Sequence, residues 1–404
     1  MSKILFISLS TERLYNNPQT RPMLEPLWAE YLAAMVPEHD IKILDMNVDL
    51  NLIKVLKEFN PDFLGVSITT PLVKEANEVI KLTREFCPSA RIIIGGPHVS
   101  ALKGKDLDYD IAVLGEGETL IKKIIENDVK SGSVLYESPI ENLDEIPFPK
   151  RVSRGPYNLK YDFENQILAS VMTSRSCPYQ CIYCSSKSIF GRKLRLRSPE
   201  NVIKELEELK NDYGVNSVIF LDDCFTFDRE RVKKICSLMI KKDLGIKWWI
   251  DTRCDHVDKE LLRLMKKAGC KHICYGVEAG SQEVLDRIKK NITVDMIKKA
   301  FKITKEVGIN VECNIMIGHL DETEEEIWQS IRLAKELEAN KSNFFKVIPL
   351  PGSELYDIAI KRRLIEEHPN FENFAWYKNP PSISKVSQEK LEELQKIAYK
   401  EVAK

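Results

Sequence analysis

The sequence predicts an α/β protein made of two successive parallel-sheet units, and three observations predict it. Short β-branched runs alternate with helical periodicities twice along the chain; a stretch broken by two close prolines separates the two series; and the second series holds six strand and helix units, more than half of an eight-unit β/α barrel. At 404 residues the chain favours two or three domains and is long enough to bury real cores. Its apolar content is that of ordinary globular domains, which excludes a disordered, collagen-like or small disulfide-stapled protein. Sixty Lys and Arg against 61 Asp and Glu leave a net charge of -1, so bulk electrostatics gives no reason to expect nucleic acid as partner, and any anion recognition is local.

In the first unit, residues 1–127, strands are expected at 4–9, 41–44, 63–68, 91–94 and 111–114. Apolar residues at helical spacing over 24–35, 52–59 and 73–86 place helices on the faces of a doubly wound sheet. Residues 128–162 show no sustained period; Ser131-Gly132-Ser133 and Ile146-Pro147-Phe148-Pro149 mark them as a linker. The second unit, 163–356, has strands expected at 167–172, 217–221, 247–250, 272–277, 310–317 and 343–347. Ser198-Pro199 opens a helix whose stripe is Val202, Ile203, Leu206 and Leu209 and whose end is Gly214. These units form a partial (βα)6 barrel whose chemistry belongs at the strand C-terminal ends. Residues 357–404 read as a small helical C-terminal cap with an aromatic interval at 371–381.

No stretch approaches about 18 uninterrupted apolar residues, and the first twenty residues lack the features of a secretory signal, so no integral membrane segment and a cytoplasmic location are expected. Ten cysteines in a reducing compartment point to a metal or redox centre, not to disulfides. Ser176-Cys177-Pro178-Tyr179-Gln180-Cys181-Ile182-Tyr183-Cys184 places three of them in the loop after the first barrel strand. Three thiolates can hold three irons of a cubane cluster and leave the fourth open to a small molecule. The alternatives are buried cysteines or a zinc site, and no adjacent His or Cys completes a tetrahedron for zinc.

Cys-x3-Cys-x2-Cys with an aromatic before the last cysteine resembles the signature of the radical S-adenosylmethionine (SAM) superfamily. The resemblance implies that Cys177, Cys181 and Cys184 bind a [4Fe-4S] cluster, that the open iron chelates SAM, and that Tyr183 lies along adenine. Further strand ends offer the rest of a SAM pocket. Asp222 and Asp223 end the second barrel strand, either as a helix cap or, by resemblance, as acceptors for the SAM ammonium. Arg253, after the third, pairs with the SAM carboxylate or bridges neighbouring carboxylates. Glu278, between Gly276 and Gly280, has the geometry to accept from both ribose hydroxyls. Ile317-Gly318 resembles the family's apolar-Gly segment against adenine, although Gly318-His319-Leu320 departs from the usual Gly-Pro-Gly turn. His319 is the histidine best placed for catalysis, against a solvated turn residue as the alternative. With 349–356 as the closing turn, the match spans 168–356. Cys270 and Cys274 repeat one gap without a third thiol and read, like Cys224, Cys236, Cys254 and Cys313, as ordinary buried cysteines.

The strand ends of the first unit carry Ser8, Ser10, Thr11, Thr69, Thr70, Gly95, Gly96, Pro97, His98, Glu116, Gly117 and Glu118, loops suited to one ligand outside the sheet. No phosphate-binding fingerprint follows the first strand. Pro61-Asp62-Phe63-Leu64-Gly65-Val66-Ser67, Gly95-Gly96-Pro97-His98 and Gly115-Glu116-Gly117-Glu118 resemble the flavodoxin-like, Rossmann-like cobalamin-binding domain of class B radical SAM methyltransferases, which makes those twelve loop residues cobalamin-binding by resemblance. The D-x-H-x-x-G motif is absent, so the corrin is expected with its base displaced and no histidine on cobalt, His98 being solvated or in contact with the tail. Methylthiotransferases need three clustered cysteines where this unit has only Cys87. Arg192, Lys193, Arg195 and Arg197 touch cobalamin, an anionic substrate, or only solvent at a strand edge.

The resemblance implies a 5'-deoxyadenosyl radical and methylation of an unactivated carbon by way of cobalamin. The alternatives are cyclisation, carbon-carbon coupling or oxidation without methyl transfer and, in a different class, a non-catalytic cobalamin sensor or iron-sulfur electron carrier. Expected partners are a small-molecule or lipid-like substrate and a low-potential ferredoxin or flavodoxin, with the chain a monomer.

Overall fold

The computed structural model describes residues 1–14, 24–105, 107–127, 129–152, 157, 166–375 and 378–403. Six strands, β1 (Lys3–Ser8), β2 (Asp40–Asp45), β3 (Phe63–Ser67), β4 (Arg91–Gly95), β5 (Ile111–Leu114) and β6 (Ser133–Tyr136), form an all-parallel sheet in the order β2-β1-β3-β4-β5-β6. Helices α1 (Leu27–Met35), α2 (Leu52–Phe59), α3 (Val73–Phe86), α4 (Pro97–Leu102) and α5 (Glu118–Glu126) connect the strands. Successive strand residues point to opposite faces, so β1 supplies both cores: Leu5 and Ile7 pack with α2 and α3, Ile4 and Phe6 with α1 and α5.

The segment expected as a bare linker contributes β6, which pairs with β5 from Ile111↔Ser133 to Leu114↔Tyr136. Its sequence hides it because a four-residue edge strand carries little apolar signal, and Val134 and Tyr136 face solvent. Leu143 and Ile146 are buried against Leu27 and Tyr31 of α1, with Met172 and Leu221 from the second unit on the other side. Apolar packing thus fills the seam between the units. Arg151 stitches it with charge, its guanidinium lying 2.9 Å from Glu25, 3.3 Å from Glu30 and 2.9 Å from Glu205, all four buried. Residues 128, 153–156 and 158–162 of the linker, the expected boundary at residue 163, and Trp376 and Tyr377 of the aromatic interval lie outside the described residues.

The second unit contains β7 (Leu168–Val171), β8 (Ser174–Arg175), β9 (Arg195–Leu196), β10 (Ser217–Phe220), β11 (Lys247–Thr252), β12 (Cys270–Glu278), β13 (Asn310–Ile317) and β14 (Lys341–Lys346). All but β8 and β9 form a parallel sheet in the order β7-β10-β11-β12-β13-β14. Among the described residues β7 and β14 do not pair, so the barrel is open. Its helices are α6 (Lys187–Phe190), α7 (Pro199–Tyr213), α8 (Arg229–Lys241), α9 (Lys259–Lys267), α10 (Gln282–Arg287), α11 (Val294–Val307), α12 (Glu324–Leu337), α13 (Glu354–Lys361) and α14 (Gln388–Val402). The caps follow the sequence: the Ser198 hydroxyl accepts from the Asn201 amide ahead of Pro199, and Gly214 closes α7 in the left-handed region. Trp248, Tyr275 and Phe344 pack the outer face of the sheet against the helix stripes. The C-terminal α14 seals β14, its Gln395 amide donating to the Phe344 carbonyl at 2.6 Å. No helix among the described residues is long and apolar enough to cross a membrane.

The short strands β8 and β9 pair antiparallel, Ser174 with Leu196 and Arg175 with Arg195. They close the neck of the loop 176–194, which carries the three clustered cysteines.

Candidate functional site

The cysteine loop leaves β8 on a strained residue, Ser176 at φ +74°, whose hydroxyl donates to the Gly191 carbonyl at 2.8 Å. Ile182, between the second and third cysteines, is buried and plugs the loop into the barrel mouth: its amide donates to Ile288 and its carbonyl accepts from Leu355. Cys177, Cys181 and Cys184 remain partly exposed. Among the described residues only Glu38, His39 and Glu126 bring three such donor atoms within 4.8 Å of one another. At least one pair of the three sulfurs therefore stands more than 4.8 Å apart, wider than two thiolates on one zinc ion, whose sulfurs at Zn–S distances of about 2.3 Å stand roughly 3.8 Å apart. A wider triad suits a larger inorganic body. Burial pushes the Cys177 thiol up to about 12 and also raises Cys184, so binding a metal there releases protons.

Arg253 takes the bridging role left open by the sequence. Its guanidinium forks onto Asp255 at 2.9 and 3.0 Å, donates to the Lys290 carbonyl at 2.8 Å, and lies over the Tyr179 ring, 3.7 Å from the centroid. It braces the cysteine loop from below.

Beside the cysteines lies a cradle of buried charge. Register slips between β12 and β13 at Gly276 and Glu278, and Glu278 sits at φ +68°, a bulge that re-aims its side chain at the end of the strand. Its carboxylate meets the Lys290 ammonium at 2.7 Å, and Lys290 in turn reaches the Tyr183 hydroxyl at 3.4 Å. Burial alone lowers Lys290, but Glu278 outweighs it and keeps the ammonium charged. Burial drives the Tyr183 phenol well up, so it stays neutral. Asp223 lies nearer the cysteines, where its exposed carboxylate accepts from the Ser186 hydroxyl at 2.6 Å and desolvation raises it.

Two expected SAM contacts fall elsewhere. Asp222 is buried and accepts from the Thr173 amide at 2.7 Å and from the Thr173 hydroxyl, so it ties β7 to β10. Neither aspartate caps the next helix, because Asp228 does. Ile317 is fully buried in the core behind the sheet, and strand alternation turns the half-buried Met316 the other way. What remains at Gly318 is backbone: Gly318 and His319 donate their amides to Glu322 at 2.6 and 2.8 Å. His319 is fully buried, not a solvated turn residue; burial lowers its imidazole to about 4, and Nε2 lies 3.4 Å from the Glu278 carbonyl. Asp321, in the turn that departs from Gly-Pro-Gly, takes φ +58° and pairs with Arg362 at 2.7 and 2.8 Å.

At the strand ends of the first sheet lies a cavity of about 610 Å³. Ser8, Thr11, Thr69, Gly95, Gly96, Pro97, Glu116, Gly117 and Glu118 line its rim, as expected of the loops. Its depth was not legible: Trp28 and Tyr31 of α1 wall one side, and Met172, Phe190 and Leu221 of the second unit close the other. A ligand of mixed character, an apolar body with a polar rim, fits such walls, as a corrin does. Gly95 and Gly96 keep this rim free of side chains, and Gly96 at φ +93° requires glycine. Three expected contacts point away. Ser10 and Thr70 are buried outside the lining, and His98 packs edge-on to Phe371 with Nδ1 3.4 Å from the Thr70 hydroxyl. His98 is thus neither solvated nor in contact with the cavity. Of the four basic residues after the cysteines, Arg192 and Lys193 are exposed, whereas Arg195 and Arg197 are buried in ion pairs with Glu116 and Glu205.

Lys290 was missed by sequence reasoning because it follows the exposed Lys289 in a polar run, and only burial separates the two. Cys270 and Cys274 both lie on β12, roughly 13 Å apart at strand rise, and share no site.

Comparison with known proteins adds families to this geometry. The Radical SAM superfamily model matches residues 171–334, and the B12 binding domain model matches residues 20–125. An uncharacterized methyltransferase of Pyrococcus horikoshii is 34% identical over 371 residues, 84% of this chain and 79% of that protein. The anaerobic magnesium-protoporphyrin IX monomethyl ester cyclase of Rubrivivax gelatinosus is 28% identical over 365 residues, 82% of this chain and 65% of the cyclase, which is thus the longer protein. The structure of the radical S-adenosylmethionine methyltransferase TsrM from Kitasatospora setae, with cobalamin and a [4Fe-4S] cluster bound, overlays with a TM-score of 0.74 at 18% identity, covering 98% of this chain and 85% of TsrM. That likeness is one of fold.

Proposed function

This chain belongs to the radical SAM superfamily, in the branch that carries a B12-binding domain, and from that premise we propose that it is a cobalamin-dependent methyltransferase acting on an unactivated carbon of a small-molecule or lipid-like substrate. When bound, a [4Fe-4S] cluster supplies the electron that cleaves the SAM sulfonium bond and cobalamin supplies a methyl carrier; the protein supplies position and exclusion of water. Cys177, Cys181 and Cys184 would hold the cluster, and three thiolates would leave one iron open to SAM. Asp223 accepts from the SAM ammonium, Glu278 from the ribose hydroxyls, and Tyr183 lies along adenine with the Gly318 backbone. Lys290, the buried cation between Glu278 and Tyr183, is placed to offer charge to the SAM carboxylate. The cavity at the first sheet would hold the corrin, with Gly95 and Gly96 at its rim and Trp28, Tyr31 and Phe190 as apolar walls.

One juxtaposition carries this reading. Arg175, two residues before Cys177, lines the 610 Å³ cavity, so the cysteine loop and the corrin-sized space share a wall. Ile189 and Phe190 of the same loop add to that wall, so groups held at the two places would lie side by side and away from solvent. A low-potential ferredoxin or flavodoxin is the reductant the reading requires. The cyclase relatives favour a second reading in which the same radical closes a ring without methyl transfer.

Anaerobic incubation of the cofactor-loaded protein with reductant, a small-molecule extract and SAM labelled in its methyl group separates the two. Label in a new product supports methyl transfer. Deoxyadenosine with all label left in methionine and SAM supports the second reading, and no deoxyadenosine under any condition contradicts both.

A further inference from the structure

Two arginines meet across the neck of the cysteine loop and grip one carboxylate of the other unit. Arg175 of β8 and Arg195 of β9 are cross-strand partners, and Glu116 lies just past the end of β5. Arg175 Nη1 is 3.0 Å from Glu116 Oε2, and Arg195 Nη2 bonds Oε1. The Ile140 amide donates to Oε2 at 3.2 Å, and Arg195 returns to the Ile140 carbonyl at 2.6 Å. Arg175 also reaches Glu118 at the start of α5, and its guanidinium lies between the rings of Tyr31 and Phe190, 5.6 and 5.5 Å from their centroids. All four charged side chains are nine-tenths or more buried. Burial lowers Arg175, but Glu118 and Glu116 outweigh it and hold the guanidinium above its ordinary range.

Such a cluster gains little over apolar packing in stability, since desolvating the charges costs about as much as their attraction returns. Its value is geometric, because forked charged hydrogen bonds admit one arrangement. Here that arrangement joins the wall of the cavity to the base of the cysteine loop. Both oxygens of Glu116, a residue of the cavity lining, are engaged by protein donors.

We propose that Glu116 is a positioning residue: gripped by Arg175 and Arg195, it clamps the cysteine loop onto the strand-end face of the first sheet and so fixes the separation between cluster and corrin. This rests on the cofactor assignment above.

The test uses the full chain loaded with iron-sulfur cluster and cobalamin. The reduced cluster and cob(II)alamin each carry an unpaired electron, so pulsed electron paramagnetic resonance reads the distance between them and its spread. Because E116Q alone strands the buried Arg195 and leaves Arg175 with Glu118 only, the paired variant E116Q/R195M, which removes one charge of each sign, is measured beside it. K193M, which breaks the exposed Lys193–Glu141 contact on the same loop, is the control. The clamp predicts a narrow distribution in the wild type and in K193M, and at least a twofold broader one in E116Q/R195M with iron and corrin content unchanged. An unchanged distribution in the paired variant overturns the clamp, and so does loss of corrin from it, which makes Glu116 a corrin ligand instead. A wild type that takes up iron but no corrin overturns the cofactor assignment, and the clamp with it.

Discussion

The cavity at the end of the first sheet is walled mostly by glycine backbone and apolar side chains, from Gly95 to Trp28 and Phe190, with charge confined to the Arg175 pairs with Glu116 and Glu118, whereas the cradle at the mouth of the second is built of charge pairs, Lys290 with Glu278 and Arg253 with Asp255. They also differ in strain. Left-handed backbone around the cavity falls on glycines, Gly96 and Gly115, whereas around the cradle it falls on Gly318 but also on Glu278, whose side chain the site uses, and on Ser176 at the root of the cysteine loop. A bulky ligand needs room, and removing side chains provides it. A small charged ligand needs fixed charges, and a fold that aims them from strained positions must hold them there with neighbours.

Substitutions that fill one region and discharge the other test whether the two are independent. The largest effect is expected from Gly95→Leu. A Cβ at Gly95 meets only Val113 at ordinary contact distances, 3.6 Å and beyond, so the backbone tolerates it while the side chain occupies the cavity. Overpacking of about 1–3 kcal/mol corresponds to up to about a hundredfold loss of corrin affinity. Absorbance titration with cobalamin checks it, and iron content is expected to stay at the wild-type level. The reverse dissociation is expected from Lys290→Met: removing a charged hydrogen-bonding partner costs about 1.5–3 kcal/mol, roughly ten- to a hundredfold in SAM affinity by calorimetry, with corrin uptake unchanged. If either variant loses both ligands, the regions are one site and the comparison fails.

Smaller effects sharpen it. Burial pushes the Glu322 carboxyl up to about 8 from 4.5, so the folded protein keeps a proton that the unfolded chain has released. Stability from this group is full at low pH and is lost as pH rises from about 4.5 to about 8. His319 acts the other way: burial lowers it from 6.5 to about 4, so stability rises with pH across that window. Glu322→Gln is expected to abolish the falling limb in urea unfolding followed against pH while leaving the rising one. The smallest effect belongs to Asp321→Gly, where relief of the left-handed strain and loss of a half-exposed pair with Arg362 offset each other to within about 1 kcal/mol in thermal unfolding.

Much of this was legible in the sequence where the signal is local. Helices α2 and α3 and strands β5 and β13 fall on their expected residues because apolar period and caps agree there. The cysteine loop announces itself by spacing. What stayed hidden depends on contacts between distant segments. Lys289 and Lys290 look alike on paper, but one is exposed beside Glu354 and the other is sealed beside Glu278. Ile317 lies one residue out of phase with the site because alternation along β13 turns Ile317 into the core and Met316 the other way, and the sequence does not say which face is which. The cavity floor joins α1 with the cysteine loop, more than 140 residues away in sequence, and no local pattern reports such a meeting. Arg195 reads as a basic edge residue until Glu116 arrives from the other unit.

The central claim is that three thiols and the adjoining cavity load together, one with a cluster and the other with a corrin. Anaerobic reconstitution with iron, sulfide and cobalamin, followed by the visible spectrum and by iron and corrin analysis, tests it most directly. The account predicts about four irons and about one corrin per chain, with the iron lost and the corrin kept in a C177A/C181A/C184A variant. Retention of the iron by that variant, or a wild type that binds a single zinc in place of the cluster, would contradict it.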